Sequence, residues 1–379
     1  MDKMESTSLF LQRAPLNALF TQLAETPFDI PAQEAFYNAA IAPYKEKHAP
    51  PLRYLKAFLK RVMKMIEEQN LEVIDEFTEL AVETSIKDYS STNDTEGEGY
   101  FIFQMNYPDI YDAISDNTRN SSIVHHRWED THTVVIKRNT GHNQVGLKLW
   151  KAGLLLGDFC INMPHLFKNR RVLELGSGTG VTGITLAAVC QPSKIFMTDF
   201  HDEVLQNLEF NTAINIDKES LSNVDISFLD WEVYSEKNII AVDSDIIIAA
   251  DCTYSMDLCV LVLQTISAFL RYKNPNPWFS APDASARYTK WQDTALNRDS
   301  TTPTILFQSK KICLLCFTIR APETLEFFYQ TLHNLSSEIM FEDVTEWVLG
   351  SCATSSFYYE GGREDLRVMC IVPSSSLPL

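Results

Sequence analysis

No run of 18 apolar residues occurs in this chain, so nothing in it offers a transmembrane helix. The opening MDKMESTSLF lacks the apolar core behind basic residues that marks a secretory signal. Positive charge is also short. Against 50 Asp and Glu stand 32 Lys and Arg, a net charge of −18, and phosphate neutralisation needs the opposite excess. Direct nucleic-acid binding is therefore not expected, whereas a basic protein partner would be drawn in. The eight cysteines show no spaced framework, which points to free thiols in a reducing compartment and so to the cytoplasm. Cys313 and Cys316 do form a CxxC, but no second CxxC or histidine pair answers it. Its setting, KICLLCFTI, reads as a buried strand. His125, His126 and His132 are crowded at i, i+1, i+7, which matches no metal-ligand spacing, so no metal is expected.

Two textures are present. In PLRYLKAFLKRVMKMIEEQ, residues Leu52, Leu55, Phe58, Leu59, Val62, Met63 and Ile66 recur at three- and four-residue steps, the pattern of an amphipathic helix. Leu71, Ile74, Phe77 and Leu80 continue that spacing. A helical segment is expected over residues 1–99, closed by the polar stretch DYSSTNDTEGEG at 88–99. The remainder, 100–379, forms the second domain. It begins irregularly, with THTVVIKR its clearest early strand, and its texture changes near residue 145. From there RRVLEL, SKIFMTD, VDISFLDW and SDIIIAAD are short β-branched runs ending at polar or acidic residues. VTGITLAAVC and HDEVLQNLEFNTAIN fall between them with helical spacing. Strand and helix in alternation predict βαβ units in an α/β fold with a mostly parallel sheet. Further strands are expected at 311–319 and 365–371, after a long Pro-rich insertion at about 274–304.

The chemistry gathers at VLELGSGTGVTG, residues 172–183. Gly176, Gly178 and Gly180, with Ser177 between the first two, follow a predicted strand and open a helix. Such a turn suits an anionic or nucleoside ligand, because it presents free N–H groups and lets backbone approach closely. A dinucleotide loop, G-x-G-x-x-G, would place its third glycine at 181, where Val181 stands. Glu174 also sits badly beside a pyrophosphate. It suits the cationic amino-acid end of S-adenosylmethionine better. Acids then close successive strands: Asp199, placed for ribose hydroxyls; Asp230, for an adenine edge, with Trp231 against the ring or the adjacent helix; and Asp251, facing the reaction centre. Each alone would pass for a helix N-cap. Their register with the loop makes a constellation.

These residues resemble the class I, seven-β-strand methyltransferases, within the protein-lysine methyltransferases marked by a D-x-x-Y/F signature. Here the signature is Asp251-Cys252-Thr253-Tyr254, with Glu174 to Gly180 as E-x-G-x-G-x-G, Leu229 to Trp231 as LDW, and Trp150 upstream in VGLKLWKAGLLLGD. HAPPLRYLKAFLKRV, EVIDEFTEL and FTIRAPETLEFF are similar to the branch that methylates a lysine of eukaryotic elongation factor 2, up to the trimethyl level. The resemblance implies a Rossmann-like seven-stranded sheet behind a small helical segment, S-adenosylmethionine as cofactor and a monomeric enzyme with a protein substrate. It implies Trp150 over one face of the cofactor, the glycines and Ser177 at its methionine part, and Asp251 with Tyr254 at the lysine. The amine must be neutral, against an ordinary pKa near about 10.4, so desolvation and a nearby sulfonium have to lower it. Asp251 is expected to orient the amine more than to take its proton. An oxidoreductase using NAD, a non-catalytic protein of the same fold and a sister enzyme with another protein substrate remain the alternatives. RNA or small-molecule methylation is disfavoured by the charge and by ADCTY standing after the fourth strand.

Overall fold

The apolar stripe of 52–66 has a core to meet. A computed structural model of the chain describes residues 5–86, 99–105, 133–138, 145–234, 236–272, 303, 305, 309–352 and 355–374. The polar stretch at 88–99, the three histidines and the 274–304 insertion lie outside these, apart from Gly99 and Pro303. Two units emerge, one of residues up to 148 with 355–360, the other holding the rest from 149 onward.

The first unit opens with helices α1 (Ser6–Leu11), α2 (Leu16–Leu23), α3 (Ile30–Phe36), α4 (Leu52–Glu68) and α5 (Asp75–Ile86). Leu52, Leu55, Phe58, Leu59, Val62 and Ile66 of α4 are all buried, as their spacing requires, and Met63 packs at the edge of that core. Phe58 stacks on Phe36 and meets Phe10 edge-on, with ring centroids 5.5 and 4.7 Å apart. Leu71 and Ile74 precede α5 instead of lying in it. There the buried Gln33 amide accepts from the Ile74 N–H and donates to the Phe28 and Glu72 carbonyls, which fixes the turn into the helix. The same unit contains an antiparallel pair, β1 (Gly99–Gln104) with β2 (Thr133–Arg138). Its contacts thus extend past residue 99, and β1 is a strand that the weak alternation of that region did not reveal.

The second unit is built on a seven-stranded sheet of order β5-β4-β3-β6-β7-β9-β8. Chain order runs as follows: α6 (Lys151–Asn162), β3 (Arg171–Leu175), α7 (Val181–Cys190), β4 (Lys194–Asp199), α8 (Asp202–Asn215), β5 (Val224–Phe228), α9 (Glu236–Val242), β6 (Ile246–Ala250), α10 (Met256–Arg271), β7 (Ile312–Thr318), α11 (Pro322–Asn334), β8 (Ile339–Asp343), α12 (Thr345–Ser351) and β9 (Leu366–Pro373). From β5 to β7 all pairings are parallel, while β9 runs antiparallel to both β7 and β8. Parallel strands covered on both faces read as continuous apolar runs, and β6 (IIIAA) and β7 (ICLLCFT) do so. Leu173, Leu175, Ile247, Ala249, Cys313 and Leu315 join α10 and α11 in one core. The alternate residues Val172, Ile246, Ile248, Leu314 and Cys316 are equally buried. The CxxC is therefore part of a strand, and all eight cysteines are free and buried.

This topology positions the site. From β3 the chain steps outward to β4 and β5, then returns to lay β6 on the other side of β3. Strand order reverses between β3 and β6, so the loops leaving their carboxyl ends diverge and open a crevice. Among the described residues no helix is long and apolar enough to cross a membrane.

Candidate active site

The loop after β3 is held by its glycines. Gly176, Gly178 and Gly180 all have positive φ, at 65°, 55° and 83°. A Cβ on Gly176 would stand 2.9 Å from Cys252 Sγ and 3.4 Å from the Trp231 ring. Gly180 is the N-cap of α7, which begins at Val181, where the helical stretch VTGITLAAVC begins. Gly183, inside that first turn, leaves room for the Glu174 carboxylate and Met197.

Glu174 is nearly fully buried, and burial pushes its carboxyl up to about 7. Polar groups of Ser177, Gly183 and Thr182 oppose that rise. Among the described residues, however, neither Glu174 Oε2 nor Ser177 Oγ has a hydrogen-bond partner within bonding geometry. A buried carboxylate oxygen without a donor is costly, and its natural complement is a cation with N–H groups.

Asp199, at the end of β4, is differently disposed. Its Oδ2 accepts from the Gly178 N–H at 3.1 Å, and Oδ1 from the N–H groups of Phe200 and His201 at 2.8 and 3.3 Å. Burial raises its pKa and these three N–H donors oppose the rise. The carboxylate thereby ties the glycine loop to the start of α8. Beyond β5, Asp230 stands two residues past the strand end and accepts from Glu232 N–H at 2.9 Å, closing its own turn. The preceding Leu229 N–H bonds to Asp199 O, which docks LDW on the β4 end and lets Trp231 reach Gly176.

After β6, Asp251 adopts a left-handed φ of 53°, one that Asp tolerates better than most residues. Its N–H bonds to Cys316 O, and its carboxylate turns to β7. Thr318 donates twice, from N to Oδ1 at 2.8 Å and from Oγ1 to Oδ2 at 3.1 Å. Arg320 Nη2 lies 3.5 Å from Oδ2. The same guanidinium stacks over the Trp150 ring, 4.6 Å from its centroid. Cys252 is buried against the glycine loop, its thiol donating to Leu175 O and Ala250 O, and burial pushes that thiol well up. Tyr254 is 48% exposed, beside a shallow pocket lined by Thr253, Thr318, Arg320, Thr324 and Phe328. Desolvation raises the pKa of its phenol, so it stays protonated and able to donate.

The sequence-predicted residues thus form three connected groups. Gly176 and Trp231 meet at Cys252; Gly178 joins Asp199; Asp251 connects to Trp150 through Arg320. Cys252, Thr318 and Arg320 were not singled out as site residues. Cys252 lies inside the D-x-x-Y signature and Arg320 just after an apolar strand, but neither position announces its partner. Among the described residues no three His, Cys, Asp or Glu gather as a metal site.

A parallel sheet whose order reverses at β3, a glycine loop there, and an antiparallel β9 beside β7 define the class I methyltransferase fold. Residues 128–279 match a family model described as lysine methyltransferase. Human protein-lysine N-methyltransferase EEF2KMT is 27% identical over 252 residues, covering 64% of this chain and 68% of its own. The mouse protein of that name is 26% identical over 265 residues, 65% of this chain and 68% of its own. An Arabidopsis thaliana calmodulin-lysine N-methyltransferase is 29% identical over 124 residues, 33% of this chain and 40% of its own. Over residues 128–279 the chain is similar to the lysine methyltransferases, and these likenesses support a protein-lysine N-methyltransferase. Hydride transfer with NAD is thereby set aside.

Proposed function

We propose that this enzyme trimethylates a lysine of eukaryotic elongation factor 2 in the cytoplasm, acting as a monomer, with S-adenosylmethionine held at the β3 end. The observation that carries the cofactor assignment is the buried Glu174 Oε2 left without a donor beside the equally unpartnered Ser177 Oγ. A methionine ammonium supplies what both lack. When bound, the cofactor provides a methyl group on a cationic sulfur. The chain's residues do the rest. Gly176, Ser177, Gly178 and Gly180 would hold its methionine part, Asp199 the ribose, Asp230 and Trp231 the adenine, and Trp150 one face.

At the lysine, Tyr254 walls the slot and offers its hydroxyl to the amine. Asp251, three of whose contacts go to Thr318 and Arg320, sets the shape of the slot and leaves limited capacity for a proton. Desolvation against Phe328 and the positive charge of Arg320 lower the amine's pKa, so that its lone pair is free to attack.

Elongation factor 2 is favoured by residues outside the family-wide motifs. HAPPLRYLKAFLKRV and EVIDEFTEL precede the matched 128–279 and carry the resemblance to that branch. The test is incubation with labelled S-adenosylmethionine, first with purified elongation factor 2 and then with a eukaryotic lysate. Trimethyl-lysine in elongation factor 2 by mass spectrometry is the expected result. Label on another lysate protein with none on elongation factor 2 would replace the substrate while keeping the reaction.

A further inference from the structure

We propose that Arg320 is a positioning residue which locks the Trp150 indole to the Asp251 loop, so that cofactor affinity depends on a cation anchored at the lysine slot. This rests on Trp150 contacting the cofactor as read above. Four observations meet at this point. The guanidinium lies over the Trp150 ring at 4.6 Å, and its Nη2 faces Asp251 Oδ2 at 3.5 Å. Asp251 is in turn pinned by both donors of Thr318, at 2.8 and 3.1 Å.

A second link runs in parallel. Lys151 Nζ, one residue after Trp150, bonds to Asp365 at 2.6 Å, and Asp365 O accepts from Ile319 N–H, one residue before Arg320, at 2.7 Å. These contacts tie the chain on both sides of the Trp150–Arg320 stack to Asp365. A ring free to turn would pay rotamer entropy each time a ligand packed on it. With a cation on one face and a strand end behind that cation, the ring is set before the ligand arrives. A residue that merely filled space would need neither a positive charge nor the carboxylate behind it.

The test is a double-mutant cycle on the full chain, with S-adenosylhomocysteine affinity read by calorimetry. Arg320→Met is expected to weaken binding about fivefold, in line with a partly exposed cation–ring contact. In a Trp150→Leu background the same change should cost less than about twofold, because the ring it steadies is gone. Arg320→Lys, which keeps the charge, should bind within about twofold of the unaltered chain. Should Arg320→Met fail to fold, Arg320→Gln, planar and neutral, takes its place in the cycle. Equal losses with and without Trp150, no loss in either, or an Arg320→Lys as weak as Arg320→Met would overturn the inference while leaving the cofactor site standing. Failure of the unaltered chain to bind S-adenosylhomocysteine would overturn the site reading and this inference together.

Discussion

The ends of β3 and β6 each carry a buried acid at the same crevice, yet the two acids are in opposite states. Asp251 has Thr318 donating to both its oxygens and Arg320 beside it. Glu174 ends with an oxygen that no described residue satisfies, and burial drives its carboxyl up to about 7. A satisfied carboxylate holds a structure together, whereas an unsatisfied one waits for a ligand. The β6 end is accordingly a finished scaffold around the slot. The β3 end is an incomplete electrostatic site.

Breaking the finished end should cost most. Asp251→Ala is expected to abolish measurable methyl transfer and to lower stability by about 3 kcal/mol. It strands Arg320 and both Thr318 donors, and it places alanine at a φ of 53°. Asp251→Asn, which tolerates that φ, should recover much of the stability in thermal melts and little of the turnover. If Asn restored turnover as well, the charge at this end would be irrelevant and the contrast would dissolve.

At the β3 end, Gly176→Ala sets a Cβ 2.9 Å from Cys252 Sγ at a φ of 65°. A loss of about 2 kcal/mol is expected by chemical denaturation, together with weakened S-adenosylhomocysteine binding. Glu174 tests the unsatisfied state itself. Its folded-state value of about 7 lies above the ordinary 4.5, so the folded chain holds this proton more tightly than the unfolded one. Its contribution to stability is intact below about pH 4.5 and is lost as pH rises through about 7. Glu174→Gln cannot ionise. Without ligand it should be more stable than the unaltered chain by about 3 kcal/mol at pH 8, and about equal to it at pH 4. A pH-independent difference between the two would mean that the carboxylate is satisfied after all. The smallest effect on stability is expected at Tyr254. Tyr254→Phe should change the melting temperature little, since the side chain is 48% exposed, while lowering kcat about tenfold.

Much of this was legible in the sequence. The strands 171–175, 194–199, 246–250 and 312–318 fall where the β-branched runs predict. Asp199 and Asp251 stand at strand ends as expected, while Asp230 is displaced two residues beyond its strand by the LDW turn. Less was legible in the edges. β8, in IMFED, carries acids and only partial burial, so its pattern lacks the apolar run that betrayed the central strands. β1 was hidden because its partner β2 begins 29 residues past its end, too far for a tight hairpin turn to mark the pair.

By itself the sequence determined which residues stand at the crevice. Strand propensity, glycine's access to positive φ and the punctuation of acids after apolar runs are local properties, and they survive without knowledge of any neighbour. Only the tertiary structure decided what each acid is for. Whether an oxygen is satisfied depends on which strand lies alongside, and in a parallel sheet that neighbour arrives through a long crossover. Thr318, 67 residues after Asp251, reaches it because β7 pairs with β6 in one register, while Glu174 Oε2 finds no such partner.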